Sequence, residues 1–117
     1  MKNVTIYHNP RCSKSRETLA LLEQHGVTPD VVLYLETPPS VDQLKKLLKE
    51  LGFNSARELM RKKEDLYKAL KLADESLSEA QLLQAMVDNP KLIERPIVVK
   101  GTQARIGRPP EQVLEIL

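Results

Sequence analysis

Apolar residues near the start of the chain form two strand-like runs with a helix-like segment between them. Residues Val4 to Tyr7 are a short β-branched run that predicts a strand. Residues Ser13 to His25 carry apolar positions at helical spacing and precede Gly26, which favours a helix end. The predicted inner face of this helix carries Leu19, Ala20 and Leu22. Residues Asp30 to Leu35 are almost continuously apolar, which is typical of a parallel strand buried on both faces. The first 35 residues therefore predict a βαβ unit.

The middle of the chain, from about residue 40 to 89, is predicted to be entirely helical. Two segments match the capping-box pattern of a helix start, Ser40 with Gln43 and Ser78 with Gln81. The two capping boxes begin two helices, and the apolar spacing predicts two shorter helices between them. The first of these carries Ala56, Leu59 and Met60, and the second runs from Leu66 to Leu72.

The end of the chain returns to strands. Residues 96–100 and 103–106 are short strand-like runs separated by Gly101-Thr102, which predicts a hairpin. Pro110 favours the start of a last helix. That helix is predicted to turn Val113, Leu114 and Leu117 to the core. The order βαβ, helices, ββα predicts an α/β protein with a thioredoxin-like mixed sheet. We expect one domain, residues 1–117, with a helical insertion at about 40–89. Pro96 stands where such folds hold a cis-proline, although sequence does not reveal the isomer.

Composition excludes several classes of protein. Lys and Arg total 18 and Asp and Glu total 16, so a net charge of +2 gives no footprint for nucleic acid or a membrane surface. A single cysteine excludes an internal disulfide and argues against a zinc finger. No apolar stretch approaches the length of a membrane span, and no signal peptide is evident, so we expect a cytoplasmic protein. Nothing demands a partner subunit, and we expect a monomer.

The one cysteine, Cys12, lies between the first predicted strand and the first predicted helix. Four basic side chains lie within four residues of it: His8, Arg11, Lys14 and Arg16. Helix N-termini and neighbouring cations lower a thiol pKa, and the same features attract an oxyanion. The alternative is an inert, buried cysteine. His8 either tunes the pKa of Cys12 or simply ends the strand.

Two spacings restrict the thiol chemistry. Cys12 and Ser15 form C-x-x-S rather than C-x-x-C, so the chain has no resolving thiol. Thr18 stands where the C-x5-R loop of a tyrosine phosphatase requires arginine. What remains is single-thiol chemistry in which the second thiol comes from another molecule.

Three arginines are candidates for binding an oxyanion, because a guanidinium makes forked contacts with tetrahedral anions. Arg61 is predicted to end the apolar part of a helix, Arg95 directly precedes Pro96, and Arg108 follows the hairpin. The alternative for each arginine is a solvated surface charge. The apolar and turn segments around Arg95 and Arg108 favour the binding role for these two.

Four motifs of the chain are informative together: Ile6-Tyr7-His8-Asn9-Pro10-x-Cys12-x-x-Ser15-Arg16, Tyr34-Leu35-Glu36-Thr37-Pro38-Pro39, Arg95-Pro96-Ile97-Val98-Val99 and Arg108-Pro109. As a set they resemble the glutaredoxin-coupled arsenate reductase family. The resemblance runs from residue 3 to 117 and is closest to a shorter branch of the family. It departs at Arg11, where a small residue is common, and at Ser13-Lys14, which replaces a Gly-Thr pair.

The resemblance implies reduction of arsenate to arsenite, with glutathione as co-substrate and glutaredoxin as partner. It assigns the attacking thiolate to Cys12 and the oxyanion contacts to Arg61, Arg95 and Arg108. It gives supporting roles to His8, Ser15 and Arg16, and it implies no metal and no bound organic cofactor.

Two other functions remain open at this stage. A regulatory protein of the Spx type shares the fold and binds RNA polymerase, but it typically carries the C-x-x-C switch that Ser15 removes here. A glutathione-dependent thiol oxidoreductase without a role in arsenic chemistry has the same sequence features as the reductase.

Overall fold

A four-stranded mixed sheet organises one of the two units into which the chain divides. The computed structural model describes residues 4–117. The sheet unit runs up to Thr37 and resumes at Arg95, and the other unit spans Pro38–Glu94. The strands are β1 (Val4–Tyr7), β2 (Asp30–Val32), β3 (Ile97–Lys100) and β4 (Gln103–Ile106), in the order β2-β1-β3-β4.

The predicted pairing of the strands is confirmed. β1 and β2 are parallel and are joined through helix α1 (Ser13–Gln24), which is the predicted βαβ unit. β3 pairs antiparallel with both β1 and β4. The β3–β4 hairpin turns at Gly101, whose φ of 63° is a conformation that favours glycine.

The second strand is shorter and more exposed than the sequence predicted. Among the strands of residues 4–117, β2 lies at the edge of the sheet and pairs with β1 alone, and Val31 is 46% exposed. The apolar run then leaves the sheet in a turn, where the N–H groups of Glu36 and Thr37 both donate to the carbonyl of Leu33. The prediction of a strand buried on both faces was wrong, because an edge position and a turn account for most of the run.

The core of the sheet unit lies between the sheet, α1 and the last helix. It consists of Val4, Ile6, Leu22, Val98, Val113 and Ile116. The last helix, Pro110–Ile116, is a 3₁₀ helix, so residues three apart share a face. Ile116 is therefore buried beside Val113, whereas Leu114 and Leu117, predicted to face the core, are only half-buried. In α1 the buried residues are Ser15, Thr18 and Leu22, which leaves Ala20 exposed on the opposite side.

The second unit consists of short helices. They are α2 (Val41–Leu51), a 3₁₀ helix (Ala56–Leu59), α3 (Asp65–Ala69), α4 (Glu79–Asp88) and a 3₁₀ helix (Pro90–Leu92). Both predicted capping boxes are confirmed, Ser40 with Gln43 on α2 and Ser78 with Gln81 on α4. This unit contains the segment predicted as a helical insertion, and the single-domain assignment stays a prediction.

The prediction that Arg61 ends the apolar part of a helix was wrong. The preceding 3₁₀ helix ends at Leu59, and Met60 forms an isolated β-bridge with Ile93. The N–H of Arg61 then donates to the carbonyl of Leu92 over 2.7 Å. A helix cannot continue here because these backbone groups bond to a distant segment instead. Among the described helices, none is long and apolar enough to cross a membrane.

Candidate active site

Cys12 caps the N-terminus of α1 at the end of the loop that follows β1. Its φ of −93° and ψ of 124° are extended, and the helix begins at Ser13. The N–H of Cys12 donates to the carbonyl of Asn9 over 3.0 Å, which closes a turn in the loop. The backbone amides of Lys14 and Ser15, in the first turn of α1, favour the charged form of this thiol. A half-buried thiol therefore lies at the free amides of a helix start.

Opposing effects act on the pKa of the Cys12 thiol. Burial raises the pKa, since it disfavours the charged form. The amides of Ser15 and Lys14 and the charges of Arg95 and Arg108 lower it, and together they outweigh burial. The pKa of Cys12 is therefore below the ordinary value for a cysteine, and the thiolate, which is the nucleophilic form, is favoured.

Two of the predicted arginines act on this sulfur. Arg108 Nη2 donates to Cys12 Sγ over 3.7 Å, and Arg108 Nε donates to the carbonyl of Arg95 over 2.8 Å. The side-chain atoms Nε and Nη1 of Arg95 are buried, and its charge lowers the pKa of Cys12. The peptide bonds Arg95–Pro96 and Arg108–Pro109 are both cis. The sheet unit consists of two segments of the chain, and residues of both segments thus lie at the thiol of Cys12.

His8 is placed differently from what its candidate role as a cation implied. It is 6% exposed, and burial lowers its pKa, so the ring is neutral at pH 7. Its Nδ1 shares a hydrogen bond of 2.6 Å with Ser15 Oγ, which also accepts from the N–H of Asn9 over 3.0 Å. His8 and the buried Ser15 therefore brace the loop around Cys12. The hydroxyl of Ser15 bonds within the loop, while its backbone amide lowers the pKa of Cys12.

The remaining basic residues near Cys12 in sequence face solvent. Arg11, Lys14 and Arg16 are exposed, and Lys14 Nζ lies 3.5 Å from a carboxylate oxygen of Glu17. The side-chain charges that lower the pKa of Cys12 are those of Arg95 and Arg108. The prediction that the pKa of Cys12 is lowered by positive charge was therefore right in direction. The charges responsible are not those of the basic residues near Cys12 in sequence.

Arg61 belongs to the helical unit. Its Nη1 donates to Glu64 Oε1 over 2.6 Å, and its Nε lies 3.9 Å from Glu94 Oε1. Its role as a third oxyanion ligand stays a prediction. Within residues 4–117, no group of three His, Cys, Asp or Glu side chains is placed to hold a metal ion.

Sequence reasoning missed a close contact behind the thiol. Gly107 is buried against Thr18 of α1 and against the ring of Pro96. Its N–H donates to the carbonyl of Pro96 over 2.9 Å. The only signal in the sequence is a glycine directly before Arg108.

Comparison with known proteins decides the family. The family model described as the ArsC family matches residues 7–116, nearly the whole chain. This chain belongs to the ArsC family. The assignment agrees with the resemblance inferred from the sequence motifs, which is thereby confirmed.

Close relatives cover this ArsC-family chain from end to end. A protein of Escherichia coli K12 named "Uncharacterized protein YfgD" is 74% identical over 116 residues, 99% of this chain and 98% of its own. An arsenate reductase of Haemophilus influenzae is 55% identical over 115 residues, 98% of this chain and 99% of its own. The solved arsenate reductase of Vibrio cholerae has a TM-score of 0.97 at 64% identity, covering 99% of this chain and 98% of that one. The predicted thioredoxin-like α/β fold is confirmed.

Proposed function

We propose that this ArsC-family protein reduces arsenate to arsenite and that the Cys12 thiolate is its nucleophile. One observation carries the proposal: Arg108 donates to Cys12 Sγ over 3.7 Å at a thiol whose pKa is lowered. A cationic fork beside a thiolate can hold an oxyanion where the sulfur attacks it. Relatives at 55% and 49% identity named arsenate reductase support arsenate as that oxyanion.

Each candidate residue has a role in this proposal. Cys12 attacks the arsenic, and Arg95, Arg108 and Arg61 bind the oxygens of arsenate. His8 and Ser15 hold the loop in shape through their mutual hydrogen bond. Arg16 is exposed at the first turn of α1, where it adds positive charge for the approaching anion.

The reaction needs two thiols for each arsenate. The Cys12 thiolate forms an S–As bond, and an arsenate oxygen leaves as water or hydroxide. A second thiol then supplies the other sulfur, and the two sulfurs lose two electrons as a disulfide forms. Arsenic gains those two electrons and leaves as arsenite. The sum is arsenate plus two thiols giving arsenite, one disulfide and water.

The second thiol comes from outside, because Cys12 is the only cysteine of the chain. We assign it to glutathione as co-substrate, with glutaredoxin as the partner that resolves the mixed disulfide. A metal or bound organic cofactor has no step in this scheme. The protein acts as a monomer in the cytoplasm, where thiols are kept reduced.

The test is a coupled assay with purified protein, glutathione, glutaredoxin, glutathione reductase and NADPH. We expect NADPH oxidation that depends on arsenate and is abolished in Cys12→Ser, since a serine hydroxyl cannot replace the thiolate. The Cys12→Ser protein should retain its fold, measured by circular dichroism. Arsenate-dependent turnover in that variant would overturn the proposal.

The same assay separates the alternative functions. A small disulfide reduced at a rate that arsenate does not change would indicate a thiol oxidoreductase without arsenic chemistry. Inactivity in every arm, together with recovery of RNA polymerase subunits in a pull-down, would indicate a regulatory protein. Either result contradicts the proposed function.

A further inference from the structure

Gly107 makes a closer approach to α1 than any other residue type permits. A Cβ at position 107 would collide with Thr18 Oγ1 and would lie 3.1 Å from Thr18 Cγ2 and 2.9 Å from Pro96 Cγ. Ordinary van der Waals contacts of a Cβ are 3.4 Å or longer. The chain at Gly107 is therefore packed directly against the side of the helix that begins at Cys12.

Space, and not backbone conformation, accounts for this glycine. The glycines with positive φ in the described chain are Gly26, Gly52 and Gly101, and Gly107 is not one of them. An alanine at position 107 would meet no conformational penalty. Its methyl group would only have to displace a neighbour, so its effect reports the packing alone.

The neighbour that would have to yield is held firmly. Thr18 is fully buried, and its Oγ1 donates to the carbonyl of Lys14 over 2.8 Å. A β-branched side chain has few rotamers in a helix, and this hydrogen bond selects one of them. The backbone at residue 107 is therefore the part that must move when a Cβ is added.

We propose that Gly107 and Thr18 are positioning residues that set the distance between the Arg108 guanidinium and the Cys12 thiolate. Arg108 is the next residue after Gly107, and Cys12 caps the helix that carries Thr18. The Gly107 N–H also donates to the Pro96 carbonyl, and Arg108 Nε donates to the Arg95 carbonyl. The contact of Gly107 with Thr18 thus fixes the position of the segments that carry Arg95 and Arg108 relative to the thiol.

A small displacement is sufficient to disturb this arrangement. The Nη2–Sγ separation is 3.7 Å, so a shift of Arg108 away from the thiol would soon end this contact. Misplacement of a reacting group by about 1 Å can cost on the order of a hundredfold in rate. The inference rests on the proposed function for its effect on arsenate, but its effect on the pKa of Cys12 needs no substrate.

The test compares Gly107→Ala with two double variants. In Gly107→Ala we expect the pKa of Cys12 to rise, measured as the iodoacetamide rate against pH, with alkylation about threefold to tenfold slower below the pKa. We expect KM for arsenate to rise about tenfold or more. Thr18→Ala removes the two crowding atoms of Thr18 and leaves Pro96 Cγ in place, so the double variant should recover much of both values. Thr18→Val keeps their volume, so Gly107→Ala with Thr18→Val should show no recovery.

A purely structural role is separated by Leu22→Ala, a core change in the same helix. Leu22 is fully buried, so this variant should unfold at a lower urea concentration than the wild type while the pKa of Cys12 stays unchanged. If Gly107→Ala does not fold, we expect the double variant with Thr18→Ala to fold with a Cys12 pKa near the wild-type value. Failure of that double variant to fold overturns the proposal.

The two proposals fail separately. A folded Gly107→Ala with an unchanged pKa of Cys12, or equal recovery with Thr18→Ala and Thr18→Val, overturns the positioning role even if the wild type reduces arsenate. A wild type that does not reduce arsenate overturns the proposed function, while the pKa comparison among the variants still tests the positioning role.

Discussion

The thiol of Cys12 receives its stabilising contacts from residues that are distant from one another in the chain. The Ser15 and Lys14 amides come from the next turn of chain, whereas Arg108 is 96 residues away. Burial alone would raise the pKa of this thiol, so these donors reverse the direction of the shift. Much of the reactivity of Cys12 therefore depends on tertiary structure.

Removing the charge of Arg108 should raise the pKa of Cys12, because a positive neighbour favours the thiolate. We expect Arg108→Gln to slow iodoacetamide alkylation at a pH below the wild-type midpoint. Arg105→Gln is the matched control: it removes an arginine from β4 that pairs with Glu115 over 2.9 Å. An equal shift in both variants would show that net charge, and not the Arg108 contact, sets the pKa.

The neutral, buried His8 makes stability depend on pH. Burial lowers its pKa in the folded protein, so below about pH 6.5 the unfolded chain binds a proton that the folded one does not. The contribution of His8 to the free energy of unfolding is therefore at its full value above that pH. It falls as the pH drops through 6.5 toward the lower pKa of His8 in the folded protein. Urea denaturation at pH 7.5 and 5.5 should show a smaller loss in His8→Gln than in the wild type.

The exposed His25 supplies the control for this measurement, since it caps the other end of α1. His25→Gln should retain the pH dependence of the wild type. A His8→Gln protein with the same pH dependence as the wild type would mean that His8 is protonated in the folded state, contrary to its burial.

At the level of elements, local patterns predicted the structure better than apolar runs did. The capping boxes at Ser40 and Ser78 depend on four consecutive residues, so the sequence contains all that they need. The run from Asp30 to Leu35 was misread because burial depends on which strands flank it. Sheet order is a property of the whole fold.

In the candidate site, too, the features that depend on adjacent residues could be predicted and those that depend on packing could not. Cys12 and its helix N-terminus were predicted correctly as a unit of structure, because the strand, turn and helix signals are adjacent in sequence. The neutral state of His8 and the contact of Gly107 with Thr18 could not be predicted, since both depend on what packs around them. Arg95 and Arg108 were suspected from their surroundings, but their distance to the thiol required the fold.

The capping box of α4 permits a direct measurement at this scale. Ser78 Oγ accepts from the N–H of Gln81 over 3.2 Å, which satisfies a free amide of the first turn. Ser78→Ala should lower the free energy of unfolding by about 1 kcal/mol in chemical denaturation. Ser13→Ala, at an exposed position in the first turn of α1, should change it by less than about 0.5 kcal/mol. Equal losses of unfolding free energy in Ser78→Ala and Ser13→Ala would show that any serine in a first turn has this effect, and that the capping hydrogen bond does not cause it.

At the scale of the whole molecule, the proposed chemistry draws on both units of the chain. The nucleophile and two arginines belong to the sheet unit, and Arg61 belongs to the helical unit. Arg61 is engaged with Glu64 over 2.6 Å, so binding an oxyanion requires it to exchange one anion for another. The contribution of Arg61 to arsenate binding can therefore be measured with two kinds of variant. One removes Arg61, and the other removes the negative charge of Glu64.

Arg61→Ala should raise KM for arsenate about tenfold to a hundredfold, since a charge-assisted hydrogen bond contributes roughly 1.5–3 kcal/mol. The pKa of Cys12 should stay unchanged, because Arg95 and Arg108 supply the charge that lowers it. Glu64→Gln should lower KM, because Arg61 then leaves a neutral partner and not a carboxylate. Lys62→Gln removes a neighbouring exposed cation and should change KM little. A KM for Arg61→Ala equal to that of Lys62→Gln would limit the oxyanion site to Arg95 and Arg108, and the helical unit would then contribute no ligand to arsenate.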